Sequence, residues 1–167
     1  RVRFHEATAA EIPENDASEV RVGQHQAVPL VPAGASAITI LQPGLFTTIQ
    51  DLGRPGYRAS GVPLSGAADP VSLRLANLLV GNPEDAAAIE CTLVGPTLRF
   101  EREAVVALVG GVFPGFPTGV VTRVAPGTAL TFGHVTAGCR GYLAVAGGID
   151  VAAVLGSRST LVAAGFG

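Results

Sequence analysis

The chain has 167 residues, of which 48% are hydrophobic and 14% charged, with a formal net charge of −2 and a pI near 5.9. All 11 basic residues are arginine, so a catalytic lysine, a Schiff-base lysine and a phosphate-loop lysine are excluded within the chain. The weak negative charge and the lack of a basic run argue against nucleic-acid binding. The spacing of Cys91 and Cys139 predicts two buried thiols rather than a metal site, and no apolar stretch predicts a membrane span.

The first 37 residues differ from the rest of the chain in composition and periodicity. Residues 1–12 are typical of a strand end followed by a short acidic tail, and residues 13–37 mix Pro, Gly, Ser and scattered charge without periodicity, which predicts a linker. A domain boundary is therefore expected near Ile38. The chain begins at Arg1 and contains no Met, so we expect it to be a piece of a longer protein.

The next segments predict short strands, a long loop and one clear helix. A strand at ITIL (38–41) is followed by a turn into a second β-rich stretch and then by a Gly/Pro-rich loop that ends at Pro70. Asp69 and Pro70 predict the start of a helix over about 70–80, which ends at Gly81 and Pro83. Its predicted apolar face consists of Val71, Leu75, Leu78 and Leu79. A second, shorter helix is predicted from the Asn82-Pro83 signal through Ile89.

After this point the pattern predicts strands near 98–100, 104–110, 119–124, 129–132 and 141–149, separated by Pro-Gly and Gly turns. These strands are too closely spaced for βαβ crossovers. A mainly β, antiparallel barrel or sandwich with a helical excursion is therefore expected.

Four uncommon sequence motifs follow one another along the chain: TTIQDLGRPGY, GVPLSGAADP, LANLLVGNP and LGSRST. Over Pro43–Phe100 and Tyr142–Thr160 the chain resembles the family of the 5-oxoprolinase C subunit, the KipA-like proteins also described as biotin-dependent carboxyltransferase or allophanate hydrolase subunit 2. The resemblance implies a cyclophilin-like antiparallel β-barrel with one or two short helices. Residues 38–167 would be the first of two barrels, truncated before the second. Residues 1–12 resemble the end of the B subunit (KipI-like), which implies a fusion of the two subunits.

The family resemblance implies a hydrolase component that opens 5-oxoproline to L-glutamate together with A-like and B-like partners, and the two cysteines without metal-site or disulfide spacing indicate a reducing cytoplasm. ATP and Mg²⁺ would act in the assembled complex, with the component that binds them left open. A first alternative is a carboxyltransferase domain that acts with a biotin carrier on urea or a similar amide. Since the chain has no lysine, that biotin would arrive on another protein. A second alternative is a regulatory partner of a KipI-like histidine-kinase inhibitor.

The candidate site residues lie at positions of the family's sequence motifs, and their side chains can bind or react with a small-molecule substrate. Asp51 and Arg54 are the candidate catalytic residues, and Arg54 is the main candidate for holding an anion. The candidate substrate-binding residues are Gln50, Tyr57, Ser65, Arg74, Asn77 and Arg158. The loop from Gln50 to Asp69 is predicted to line the functional cleft.

Structural roles stay open for several of the same residues. Asp69 suits a helix cap, and Glu90 suits a buried backbone acceptor as well as it suits chemistry. Arg74 and Asn77 lie at helical i, i+3 spacing and suit a tie between helix and loop. Asp51 and Arg54 suit a structural pair within the Gly-rich turn.

Overall fold

The computed structural model describes residues 38–166, and the predicted tail at 1–12 and linker at 13–37 lie outside the described residues. The described part contains one α-helix, eight strands and two single-turn 3₁₀ helices, at Arg58–Ser60 and Val162–Ala164. In chain order the main elements are β1 (Ile38–Gln42), β2 (Phe46–Gln50), α1 (Pro70–Leu79), β3 (Ala88–Thr92), β4 (Thr97–Phe100), β5 (Ala104–Val112), β6 (Val121–Val124), β7 (Ala129–Thr131) and β8 (Ala137–Val145).

The strands form two sheets. The larger has five strands in the order β2-β3-β8-β5-β6, the smaller has three in the order β1-β4-β7, and every pair of these strands is antiparallel. The predicted mainly antiparallel β class is therefore confirmed. Among the described residues the two sheets are not joined by a ladder into one closed barrel.

The five-stranded sheet is buried on both faces, because alternate residues of its strands enter two different clusters. On β5, Val106 and Leu108 belong to the cluster that also contains Leu98 and Phe100 of the smaller sheet. Val105 and Ala107 point the other way, into a cluster shared with α1. This period of two is the expected geometry of a strand. The helix thus covers one face of the large sheet and the small sheet covers the other.

Helix α1 begins as the sequence predicts, with the Asp69 carboxylate accepting hydrogen bonds from the backbone N–H groups of Val71 and Ser72 at 3.1 Å each. The predicted apolar face, however, is not the buried one: Val71 and Leu78 are 63% and 57% exposed, and Leu75 and Leu79 are also exposed. The buried face is instead the one that carries the following residues: Ser72, Leu73, Ala76, Asn77 and Val80.

The helix has two apolar stripes at helical spacing, and hydropathy alone does not choose between them. The choice is made by contacts on the inner face. The sheet offers the small side chains of Ala88, Ala107 and Ala144 to the helix, and Asn77 is anchored there through its side-chain amide to the carbonyl of Ala86 at 2.7 Å.

The predicted second helix through Ile89 is also wrong. Residues from Ala88 onward form β3, which pairs with β2 on one side and β8 on the other. Pairing on both sides satisfies the backbone N–H and C=O groups of this short segment, so tertiary context overrides the local helix-start signal.

The two cysteines have different environments. Cys91 is buried on β3, and burial raises the pKa of its thiol to about 12. Cys139 is exposed, because the first three residues of β8 lie on the surface, so the expectation of two buried thiols is wrong for Cys139. Within residues 38–166, no helix has the length and apolarity needed to cross a membrane.

Candidate functional site

A cleft with a volume of about 1120 Å³ lies where the loop after β2, the end of α1 and the turn after β8 meet. Its lining includes the apolar residues Leu78, Leu79 and Ile149. The charged residues of the lining are Asp51, Asp85, Asp150 and Arg158. A cleft lined by apolar residues and a few polar groups is the expected form of a small-molecule site.

Two of the residues that line the cleft, Asp51 and Arg158, belong to a cluster that we call the polar clamp. It consists of Gln50, Asp51 and Arg54 from one segment of the chain and of residues 157–160 from another. Asp51 is its centre. Its Oδ1 atom accepts hydrogen bonds from the hydroxyls of Ser157, at 2.7 Å, and Ser159. The same oxygen accepts the Gly53 N–H at 2.7 Å, and Oδ2 accepts the Arg158 N–H at 2.6 Å.

These bonds determine the charge of Asp51. Burial by itself raises the pKa of this carboxyl, but hydrogen bonds from Ser159, Ser157, Gly53 and Arg158 outweigh burial and hold the pKa below its usual value. Asp51 is therefore ionised at neutral pH, and both of its oxygens are occupied by donors of the fold. This arrangement suits an anchor better than a base that takes a proton from substrate.

The loop that carries Asp51 and Arg54 depends on a glycine. Gly53 has φ +88°, and a Cβ added to it would lie 2.5 Å from the Leu64 carbonyl oxygen. That carbonyl accepts the Arg54 N–H at 2.8 Å. Glycine is thus required by both the backbone conformation and the close approach.

Arg54 lies inside the clamp rather than in the cleft. Its side chain is 0% exposed, and its Nη2 donates to the Ser159 carbonyl. The ring of Phe166 lies over the guanidinium, with its centroid 5.0 Å from Cζ. The residue predicted to hold an anion is therefore covered by the fold.

Arg158 does reach the cleft. Its Nε donates to the Val151 carbonyl at 3.1 Å, and Nη2 lies 3.4 Å from Oδ1 of Asp150. The side chain is 43% exposed, and within residues 38–166 no acceptor is bonded to Nη1. Arg158 thus combines a backbone fixed by Asp51 with a guanidinium edge open to solvent.

The cleft floor at the end of α1 is held by two buried amides. Asn82 donates from Nδ2 to Oδ1 of Asn77 at 3.0 Å and to the Val145 carbonyl at 2.8 Å, while its Oδ1 accepts the Gly147 N–H at 2.8 Å. Asn77, a candidate substrate-binding residue, is 0% exposed. Its amide joins the helix to the turn that follows it, at Asn82 and Ala86.

The other candidate residues lie at the clamp or away from the cleft. Gln50 donates to the Thr160 carbonyl at 3.2 Å, and the Ser65 hydroxyl donates to the same carbonyl at 3.2 Å. Arg74 is on the surface, 3.9 Å from Glu84, and Tyr57 is half-buried in the loop. Of the predicted loop from Gln50 to Asp69, the cleft is lined by residues 51–53.

Sequence reasoning missed Ser157, Ser159 and Asn82. The two serines could have been identified, because both flank Arg158 in the motif LGSRST, but only the charged residue was chosen as a candidate. It also left open the role of Glu90, whose buried carboxylate accepts the Ala68 N–H at 3.1 Å and the Tyr142 hydroxyl at 2.7 Å. Glu90 therefore ties the loop before α1 to β3 and β8.

Comparison with known proteins places this geometry in a family. The model of the carboxyltransferase domain, subdomain A and B, matches residues 60–167, which is more than half of the chain. This range includes α1, the turn after β8 and the Ser157–Ser159 half of the clamp.

The chain belongs to the carboxyltransferase domain family.

Relatives of this carboxyltransferase-family chain include two kinds of enzyme. It is 45% identical over 139 residues to urea amidolyase of Saccharomyces cerevisiae, covering 79% of this chain and 8% of the relative. It is 43% identical over 136 residues to the 5-oxoprolinase C subunit of Escherichia coli, covering 78% of this chain and 44% of the relative. The crystal structure of the K. lactis urea amidolyase superposes with a TM-score of 0.71 at 45% identity, covering 74% of this chain and 8% of that one. The chain thus spans less than half the length of these relatives.

Proposed function

We propose that this chain forms part of the C subunit of an ATP-dependent 5-oxoprolinase, which opens 5-oxoproline to L-glutamate together with A-like and B-like (KipI-like) subunits. The proposal rests on the similarity to the 5-oxoprolinase C subunit of E. coli and on one structural observation, the open guanidinium edge of Arg158 in the cleft. The unpaired thiols of Cys91 and Cys139 suit a reducing compartment, which supports a cytoplasmic location.

Arg158 is the group we assign to the substrate. 5-Oxoproline carries a carboxylate, and a guanidinium binds carboxylates through charge-assisted hydrogen bonds. The apolar lining residues Leu78, Leu79 and Ile149 suit the methylene groups of the lactam ring. In this arrangement Asp51 is a positioning residue, because it fixes the backbone of Arg158 and the hydroxyls on either side of it.

The proposal assigns no nucleotide or metal site to the described part of the chain. Within residues 38–166, no three His, Cys, Asp or Glu side chains lie close enough together to hold a metal ion. Since Mg²⁺ bound with ATP needs only one or two protein carboxylates, the component of the assembled enzyme that binds ATP and Mg²⁺ stays open, and residues 38–166 are assigned substrate binding.

The test is 5-oxoproline-dependent phosphate release by the assembled A, B and C subunits, with each of the three omitted in turn. Arg158→Ala is expected to raise KM for 5-oxoproline by about tenfold or more, since a charge-assisted bond is worth roughly 1.5–3 kcal/mol. Arg123→Ala is the matched control, because Arg123 is also an exposed arginine paired with a carboxylate, Glu103, but lies on β6 outside the cleft.

Two outcomes would contradict the proposal. Turnover that survives omission of the C subunit would favour the regulatory alternative, in which the chain is a partner of a KipI-like kinase inhibitor. An unchanged KM in Arg158→Ala, with Arg123→Ala also unchanged, would remove Arg158 from substrate binding.

A second candidate function is carboxyl transfer to urea or a similar amide, favoured by the match to urea amidolyase at 45% identity. These 167 residues contain no lysine, so a biotinyl group would be carried outside them, on another part of the same protein or on another protein. Urea-dependent loss of the carboxyl group from a carboxylated biotin carrier, in the presence of the assembled protein but not in its absence, would support this function over 5-oxoproline hydrolysis.

A further inference from the structure

Arg54 is a buried cation whose hydrogen-bonding capacity is mostly unused. Its side chain is 0% exposed, and its one hydrogen bond runs from Nη2 to the Ser159 carbonyl. Nε and Nη1 are buried without a hydrogen-bond partner. Within residues 38–166, no carboxylate forms an ion pair with this guanidinium.

Such an arrangement is costly, because a guanidinium stays protonated in proteins and a buried charge without a counter-ion is strongly destabilising. The nearby carboxylate of Asp51 is not available, since its oxygens already accept four hydrogen bonds from other groups of the clamp and loop. The ring of Phe166, 5.0 Å from Cζ, offsets part of the cost by a cation–π contact.

The surroundings indicate how a ligand would reach Arg54. Phe166 is only half-buried and follows the 3₁₀ turn Val162–Ala164, whose side chains are exposed. Displacing the Phe166 ring would open a path to the guanidinium and leave the four hydrogen bonds of Asp51 in place, because none of them involves Phe166. The guanidinium is already removed from water, so binding a small anion there desolvates only the anion.

We propose that Arg54, under Phe166, is a binding site for a small planar oxyanion, a carboxylate or bicarbonate. Such an anion supplies acceptor oxygens to donors that the fold leaves unpaired, and its plane matches the guanidinium. The site is separate from the Arg158 cleft, and it is tested without turnover, so its failure and that of the proposed function are distinguishable.

The test is thermal unfolding of the full chain in sodium formate and in sodium bicarbonate, compared with sodium chloride at equal ionic strength and pH. At about ten times the dissociation constant, the oxyanion is expected to raise Tm by roughly 3 °C, with a saturating dependence on concentration. Arg54→Met should abolish this rise. Arg58→Met, the control on the same loop, should retain it, because Arg58 is exposed.

No difference between the oxyanions and chloride would overturn the proposal, as would an equal rise in Arg54→Met. Should Arg54→Met fail to fold, the Nε–H resonances of the wild-type arginines in ¹⁵N NMR provide a second measurement. Formate is expected to shift one slowly exchanging Nε–H signal, since Arg54 is fully buried, and Phe166→Ala should keep the shift while making that signal exchange faster. A spectrum in which no slowly exchanging arginine responds to formate would rule the site out.

Discussion

The polar clamp and the outer face of α1 reverse the usual relation between polarity and burial. In the clamp, Asp51, Arg54 and Ser159 are 9%, 0% and 0% exposed, whereas on α1 the side chains of Val71 and Leu78 are 63% and 57% exposed. The clamp side chains are buried because Asp51 and the serines find hydrogen-bond partners across the two segments. The outer leucines are exposed because the inner stripe of α1 already fills the space above the sheet. At these two places hydropathy alone does not predict burial, because Asp51 and the serines are buried with hydrogen-bond partners while Val71 and Leu78 are left exposed.

The largest effect is expected from breaking the clamp at its centre. Asp51→Ala removes the acceptor of two serine hydroxyls and two backbone N–H groups, and these donors are left inside the fold. We expect the free energy of unfolding to fall by roughly 3 to 5 kcal/mol, measured by urea denaturation. Asp85→Ala is the control, since Asp85 also lines the cleft but is exposed. A loss no greater than that of the control would show that the clamp does not stabilise the fold.

A smaller effect is expected from protonating the same carboxylate. The folded-state pKa of Asp51 lies below its ordinary value, because hydrogen bonds from Ser159, Ser157, Gly53 and Arg158 outweigh the effect of burial. Its stabilisation is therefore complete above the unfolded-state pKa of about 3.9 and is lost as pH falls through the folded-state pKa. The difference in unfolding free energy between wild type and Asp51→Asn should be largest near neutral pH and shrink on acidification below about pH 4. Urea denaturation at several pH values measures it, and a constant difference would contradict this assignment.

The smallest effect is expected on the outer face of α1. Leu75→Gln should change the free energy of unfolding by less than about 0.5 kcal/mol, because Leu75 is 48% exposed and lies outside the cleft. Leu73→Ala, two residues away on the buried face, should cost roughly 3 kcal/mol. The two variants purified and unfolded in parallel give the comparison. A Leu75 variant as damaging as the Leu73 variant would mean that the outer stripe is covered in solution.

Local signals in the sequence predicted much of the fold. The Asp69 cap with Pro70, the strands after residue 97 and the antiparallel class all depend on residues close together in the chain, and they are confirmed, except that the strand predicted at 141–149 lies at Ala137–Val145. The buried face of α1 and the strand at Ala88–Thr92 were not predictable in this way. Both depend on the sheet that packs against them, which brings together residues far apart in sequence.

The candidate site shows the same division. The family motifs pointed to Asp51, Arg54 and Arg158, and the structure brings the two segments that carry them together at the polar clamp. The sequence did not predict that Arg54 would be enclosed while Arg158 opens to the cleft, because that difference arises from contacts more than 100 positions apart in the chain, such as Arg54 to Ser159 with a separation of 105.

The contrast between the two thiols makes the chain suitable for site-specific labelling. Cys91 is enclosed and its pKa is about 12, so it stays protonated and out of reach of alkylating reagents at neutral pH, whereas Cys139 is on the surface. The sequence contains two cysteines, yet the native protein should take up one maleimide per chain. A fluorophore or spin label can thus be attached at the start of β8 without changing any residue, and it would report the arrival of partner proteins by anisotropy.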